Sequence, residues 1–232
     1  MHVPWRLLAE RWEASWLGYV VELPGCQFAA STLDELLARA PEAIAQHLAW
    51  LRGHGLQAIE RSPERFVLVE TAEALPDGRG PLFEADRRSL SEGELQSALR
   101  VGDAALVDLV ALAERTDGWE RLPEAARPTG RTPPEILQHV AERDRWYAAR
   151  LAPDAGALAL PVDPIEALER AAQTFVSVVR AWWAIWKQTV VERDGERWTV
   201  AKVLRRRTGH LREHARQLAA WCDAIAGRED PA

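Results

Sequence analysis

The chain has 232 residues, 47% of them hydrophobic, and a formal net charge of −6. This length fits one large domain or two small ones, and the composition is that of an ordinary globular protein. The negative charge argues against a general nucleic-acid-binding surface. Its two cysteines, Cys26 and Cys222, fit no metal-binding or disulfide pattern, so the expected compartment is a reducing cytoplasm. Charges interrupt the first 16 residues, and no apolar run reaches the ~18 residues of a membrane span, so we expect neither a secretion signal nor a membrane segment.

Residues 1–75 predict a small α/β domain. Segments 3–23 and 65–71 are rich in β-forming residues, which indicates strands. Between them, Thr32 and Glu35 have the spacing of a capping box, in which each side chain binds a backbone N–H at the start of a helix. Apolar residues then recur at helical spacing as far as Leu51.

Several short motifs in this domain resemble those of HicB-like antitoxins. They are an LPGC turn at 23–26, a T-L-x-E helix start at 32–35 and an E-A-I element at 42–44. The resemblance implies a HicB-like α/β fold and a protein partner, of the toxin type, that this domain would recognise. Antitoxins of this kind usually carry a DNA-binding module directly after the fold. No such module follows here, so binding to an operator is not expected.

Residues 76–90 are rich in glycine and proline and predict a linker. In the remaining domain, 91–228, apolar residues recur at alternating intervals of three and four residues, and this pattern predicts four helices. Start signals precede each helix, at Ser91, Thr132, Asp163 and Thr199, and an Asp-Gly pair at 194–195 predicts a short hairpin before the last one. The expected fold class is therefore α+β, a small N-terminal α/β domain followed by an antiparallel four-helix bundle.

Three histidines form a candidate metal site. His210 and His214 lie one turn apart on the last helix, so both imidazoles can reach one ion. The helical phase directs His214 inward, and His139 lies beside the apolar stripe of the second helix. A divalent ion would compensate the burial of these polar rings, and Zn, Ni, Fe and Mn are all candidates. Three protein ligands would leave positions open, as in catalytic sites. The alternative is a pair of ordinary surface histidines.

The segment from about 87 to 226 resembles the DinB superfamily of metal-binding four-helix proteins. That family has one metal-binding histidine in its second helix and an H-x-x-x-H pair in its fourth, often followed by a glutamine. Here these positions correspond to His139, His210, His214 and Gln217. The resemblance implies a metal site and, for some relatives, transfer reactions that use low-molecular-weight thiols.

Other residues near the histidines are candidate pocket residues. Arg143 and Arg207 could bind an anionic substrate, or could bury their stems and pair with glutamates. Trp146 could form an aromatic wall of a ligand pocket, although tryptophans more often fill a core or a homodimer interface. We expect the run Arg205–Arg207 to lie on a solvated helix face.

Two functions remain open from the sequence. The first is a metal-dependent enzyme, a thiol-dependent transferase or a hydrolase, acting on a small molecule. The second is a non-enzymatic regulatory protein whose HicB-like domain binds a protein partner and whose metal only stabilises the helices.

Overall fold

The computed structural model describes residues 3–57, 59–75 and 79–229. It has a mixed α/β fold in which an N-terminal sheet precedes a series of helices. The strands are β1 (Trp5–Trp12), β2 (Ser15–Val20), β3 (Gln27–Ala30), β4 (Phe66–Glu73), β5 (Val191–Arg193) and β6 (Glu196–Trp198). The helices are α1 (Leu33–Gly53), α2 (Glu84–Arg87), α3 (Glu92–Glu114), α4 (Pro133–Leu151), α5 (Pro164–Trp186) and α6 (Val200–Glu229).

Contacts divide the chain into two compact units. The sheet unit comprises the residues up to Val101 together with Trp186–Gly209, and the helical unit comprises Gly102–Ile185 together with the residues from His210 onward. All three boundaries fall inside helices: in α3, before the last residue of α5, and in α6. The domains expected at 1–75 and 91–228 stay a prediction.

The main sheet has the order β3-β2-β1-β4, with β1 antiparallel to β2 and parallel to β4. One face of α1 is buried in the core that this sheet helps to form, because apolar residues recur along the helix at Leu36, Ala40, Ile44 and Leu48. Gly18 has a steric role opposite Phe28, since a Cβ there would lie only 3.0 Å from the ring. Any larger residue at this position would displace the aromatic ring from the core.

The predicted helix starts are confirmed for the four helices of the second half of the chain. Ser91 and Glu94 exchange hydrogen bonds before α3, and Thr132 and Glu135 do so before α4. Asp163 accepts two backbone N–H bonds at the start of α5, and Thr199 accepts one at the start of α6. Each bond satisfies a backbone donor that the first turn of a helix leaves without an internal partner.

The predicted hairpin is also confirmed. Strands β5 and β6 pair antiparallel, and Arg193 lies opposite Glu196 across the turn. The two turn residues both have positive φ, 53° at Asp194 and 73° at Gly195. This is the backbone conformation that a two-residue turn requires and that Asp-Gly adopts readily. The hairpin leads directly into Thr199 and α6.

The expectation of a solvated arginine face at 205–207 is wrong. Arg205 forms a two-point ion pair with Asp86, with its Nη2 atom 2.6 Å from Oδ2. Arg206 lies 3.3 Å from the buried carboxylate of Glu10, and only 1% of Arg207 is exposed. Charge runs usually face solvent, but here acidic residues distant in sequence pair with the first two arginines.

Nearby, the ammonium group of Lys202 is fully buried and donates to Glu196 Oε1 at 2.7 Å and to two backbone carbonyl oxygens. The first turns of α6 thus join the sheet unit through three charge pairs. Across the described residues, no helix combines the length and the apolarity needed to cross a membrane.

Candidate metal centre

The candidate centre lies in the helical unit, where α4 supplies His139 and α6 supplies His210 and His214. The capping box at Thr132 fixes the start of α4, so the seventh residue of that helix is His139. On α6 the two histidines lie on one face because a separation of four residues is close to one helical turn. His214 is 4% exposed, whereas His139 and His210 are half-buried. The phase predicted from the sequence is therefore confirmed.

The three imidazoles converge on their Nε2 atoms. His210 Nε2 lies 3.1 Å from His139 Nε2 and 3.0 Å from His214 Nε2. One ligand atom from each residue lies within 4.8 Å of the others. A pair of independent surface histidines, the alternative reading, would not bring three ring nitrogens together.

Hydrogen bonding orients one ring for ligation. His214 Nδ1 lies 2.8 Å from Gln217 Oε1, and an amide oxygen can only accept, so Nδ1 carries the proton. The lone pair of His214 is then on Nε2, which faces the other two histidines. Metal-ligating histidines usually donate their second ring N–H in this way, which fixes the tautomer.

The local environment keeps two of the three rings neutral. The pKa of His139 is lowered to about 4, mainly by burial and to a smaller extent by the positive charge of Arg131 and by His214. Burial also lowers the pKa of His214, against the opposing effect of its bond to Gln217. Both imidazoles are therefore unprotonated at neutral pH. The neutral form is the one that offers a lone pair to a metal ion.

The donor set fits a divalent ion. His210 Nε2 cannot make good hydrogen bonds to both neighbours at once, because it either donates or accepts one proton and His214 Nε2 carries none. Three Nε2 atoms directed at one point are instead the arrangement of metal ligands. Tetrahedral Zn–N bonds of about 2.0–2.1 Å would separate the nitrogens by about 3.3 Å, close to the two short distances observed. The three histidines are thus compatible with a metal site.

The candidate pocket residues lie in different surroundings. His139, Arg143, Trp146 and Arg150 are spaced by four, three and four residues, so they share one face of α4. The guanidinium carbons of Arg143 and Arg150 lie 4.8 and 4.4 Å from the centre of the Trp146 ring. Arg207 is on α6 but belongs to the sheet unit and is buried. The proposed substrate contacts of Arg143, Trp146 and Arg207 stay predictions.

Two neighbours of the centre were not predicted. Arg131 lies in the loop before α4 and acts electrostatically on both His139 and His214. Tyr147 is buried, with its ring edge-on to His210 at 6.2 Å between centroids. A loop arginine has no periodic signal, but Tyr147 is eight residues after His139 on the same helix, and that spacing could have identified it.

The centre thus consists of three converging imidazoles, one of them oriented by Gln217, and adjacent positive charge. Glu142, three residues after His139, and Glu213, directly before His214, are both exposed. No family model, no curated protein and no solved structure matches this chain.

Proposed function

We propose that His139, His210 and His214 hold one divalent metal ion and that this centre is the active site of a metal-dependent transferase or hydrolase. In this proposal α3, α4, α5 and α6 form an antiparallel four-helix bundle of the DinB type. The proposal is supported by the histidines of α4 and α6, which correspond to the second and fourth helices of that family. Their Nε2 atoms lie within hydrogen-bonding distance of one another.

The number of ligands carries the argument for catalysis. Structural zinc sites generally use four protein ligands, whereas catalytic sites use three and keep a position for water or substrate. Among the described residues, no fourth histidine, cysteine, aspartate or glutamate joins the three. Cys222 is eight residues beyond His214, and its Sγ contacts the Leu112 carbonyl oxygen instead.

The bound ion would supply Lewis acidity or a lowered pKa for a coordinated water or thiol. The side chains around it define the charge of the substrate. Arg131 and Arg143 both depress the pKa of His139, so their positive charges act at the centre. A divalent ion on three neutral ligands adds to this charge. A substrate with a carboxylate or another anionic group is therefore favoured over a cationic one.

Metal removal and restoration tests the proposal. Untagged protein is treated with a chelator, reloaded with Zn, Ni, Fe or Mn, and assayed for thiol addition to electrophiles and for hydrolysis of carboxylate-bearing esters and amides. We expect turnover that is lost with the metal, restored by one of the ions, and abolished in His214→Ala. His54→Ala is the matched control, because His54 bonds to the Trp50 carbonyl oxygen on α1 in the sheet unit.

The outcome also separates the two functions. Arg143→Met should raise KM for the anionic substrate more than it lowers kcat, because a positioning charge acts mainly on binding. A metal that binds tightly, stabilises the fold and supports no turnover in either assay would contradict the enzyme and leave the metal a structural role. Turnover that survives complete metal removal would contradict the proposal entirely.

A further inference from the structure

The sheet unit contains a second candidate site, a cavity of about 310 Å³. Its walls come from β1, from the end of β2 and the turn that follows it, from residues 85–98, and from 201–205 on α6. All of these segments belong to the sheet unit. The histidine centre lies in the helical unit, so the cavity is a separate feature. Its size is at the lower end of the range for small-molecule sites.

The lining is mostly apolar. Leu8, Tyr19 and Leu23 are each no more than 3% exposed, and Val20 and Leu204 are each 4% exposed. Packed interiors rarely leave a space of this size next to so many aliphatic side chains. An apolar molecule would restore the contacts that this space omits, which favours binding.

The charged groups of the lining cancel in pairs. The shortest distance is 2.6 Å in each of three ion pairs: Arg6–Glu22, Arg88–Glu94 and Arg205–Asp86. Three cations and three anions give the cavity no net charge. A charged group beside the buried Arg205–Asp86 pair would have to break that pair or remain without a counter-ion, and both are unfavourable away from solvent. The lining therefore favours an uncharged ligand.

Arg205 is held in this wall by the Asp86 carboxylate and by two aromatic rings. Its Nε and Nη2 atoms donate to the Asp86 carboxylate at 3.0 and 2.6 Å. Its guanidinium carbon lies 4.5 Å from the centre of the Tyr19 ring and 4.9 Å from that of Phe83, which holds the group in place. Its Nη1 atom is buried and has no hydrogen-bond partner among the described residues. Because this atom exposes almost no surface, a molecule in the cavity would contact the fixed wall and not this donor.

We propose that this cavity binds a small, uncharged, mainly apolar molecule. The aliphatic walls would hold its hydrocarbon part, and the paired charges of the lining would offer no free counter-ion to a charged group. This site is independent of the metal centre and does not require the enzymatic function.

Binding can be measured with N-phenyl-1-naphthylamine, an uncharged dye whose fluorescence rises in apolar surroundings. We expect saturable binding of one dye per chain. Ser97 is exposed on α3 and Ala201 is half-buried on α6, and both line the cavity, so phenylalanine at either position would fill it without disrupting the core. Ser97→Phe and Ala201→Phe should each weaken binding at least tenfold. Ser177→Phe, an exposed position on α5, is the matched control and should leave binding unchanged.

Competition against the dye tests the chemical class. Propiophenone and n-propylbenzene are both uncharged, and we expect each to displace the dye at lower concentration than benzoate, which is anionic at neutral pH. Displacement by benzoate at an equal or lower concentration would contradict this chemical class. Tighter binding of an anionic dye such as anilinonaphthalene sulfonate would contradict an uncharged ligand. Unchanged dye binding in Ser97→Phe and Ala201→Phe, or no saturable binding by the wild type, would overturn the site itself.

Discussion

Removing the Gln217 side chain should weaken metal binding while leaving all three ligands in place. Gln217 contacts the centre through one hydrogen bond, in which His214 Nδ1 donates to Oε1 at 2.8 Å. In Gln217→Ala this bond is lost, and with it the acceptor that fixes the His214 tautomer. A fraction of the rings can then carry the proton on Nε2, which cannot ligate.

The expected loss of metal affinity depends on how exposed Gln217 is. Loss of such supporting bonds typically lowers metal affinity by about 10–100-fold. Gln217 is exposed, so water can replace its oxygen in part, although His214 itself is buried. We therefore expect the lower end, about tenfold, which corresponds to about 1.4 kcal/mol. Gln217→Glu should act in the opposite direction, because a carboxylate is a stronger acceptor and makes the imidazole a better ligand.

The assay is a competition titration of zinc between the untagged protein and a chromophoric chelator. Gln138→Ala is the matched control, because Gln138 is next to His139 and bonds to the exposed Glu142. If Gln217→Ala binds zinc as tightly as the wild type while His214→Ala loses it, Gln217 does not orient the ligand. An equal loss in Gln138→Ala would refute the specific role of Gln217.

Further predictions concern stability and its dependence on pH. Lys202→Met should lower the free energy of unfolding in urea by about 3–5 kcal/mol, because it leaves the buried Glu196 carboxylate without its cation. Arg11→Met removes the cation of an exposed ion pair with Glu73, so it should lower the free energy of unfolding by less than about 1 kcal/mol. Gly195→Ala should lower the free energy of unfolding by about 1–2 kcal/mol, because φ at this position is 73° and a residue with a Cβ is strained there. For the metal-free protein, the pKa of His139 is about 4 when folded and near 6.5 when unfolded, so the unfolded chain binds the proton first. Stability should then fall as pH decreases from about 6.5 to about 4, and His139→Gln should reduce that slope; equal slopes would contradict the burial of this ring.

Helix starts and turns were predictable because their signals are local. Thr132 and Glu135 are three residues apart, and both bonds of the capping box depend on that spacing alone. Asp194 and Gly195 likewise determine the hairpin through backbone conformations that few other residue pairs adopt. The same holds for His210 and His214, whose separation on one helix determines how far apart their rings can be.

Contacts between distant segments were not predictable in this way. Arg205–Arg207 resembled a solvated charge run, but Asp86 and Glu10, more than 100 residues away, pair with two of these arginines. Nothing in the local pattern identifies such partners. Buried Lys202 had no signal for the same reason, since one of its acceptors, the Gly80 carbonyl oxygen, is 122 residues away. For His139, helical phase placed the ring beside the stripe, and the resemblance to DinB proteins paired it with the other two.

The most direct test of the metal centre is elemental analysis of protein purified without a histidine tag and without chelators. The account predicts close to one zinc, nickel, iron or manganese ion per chain in the wild type and in His54→Ala, and a nearly complete loss in His139→Ala, His210→Ala and His214→Ala. Wild-type protein that neither contains nor takes up a divalent ion would contradict it, as would triad variants that retain the ion at the wild-type level.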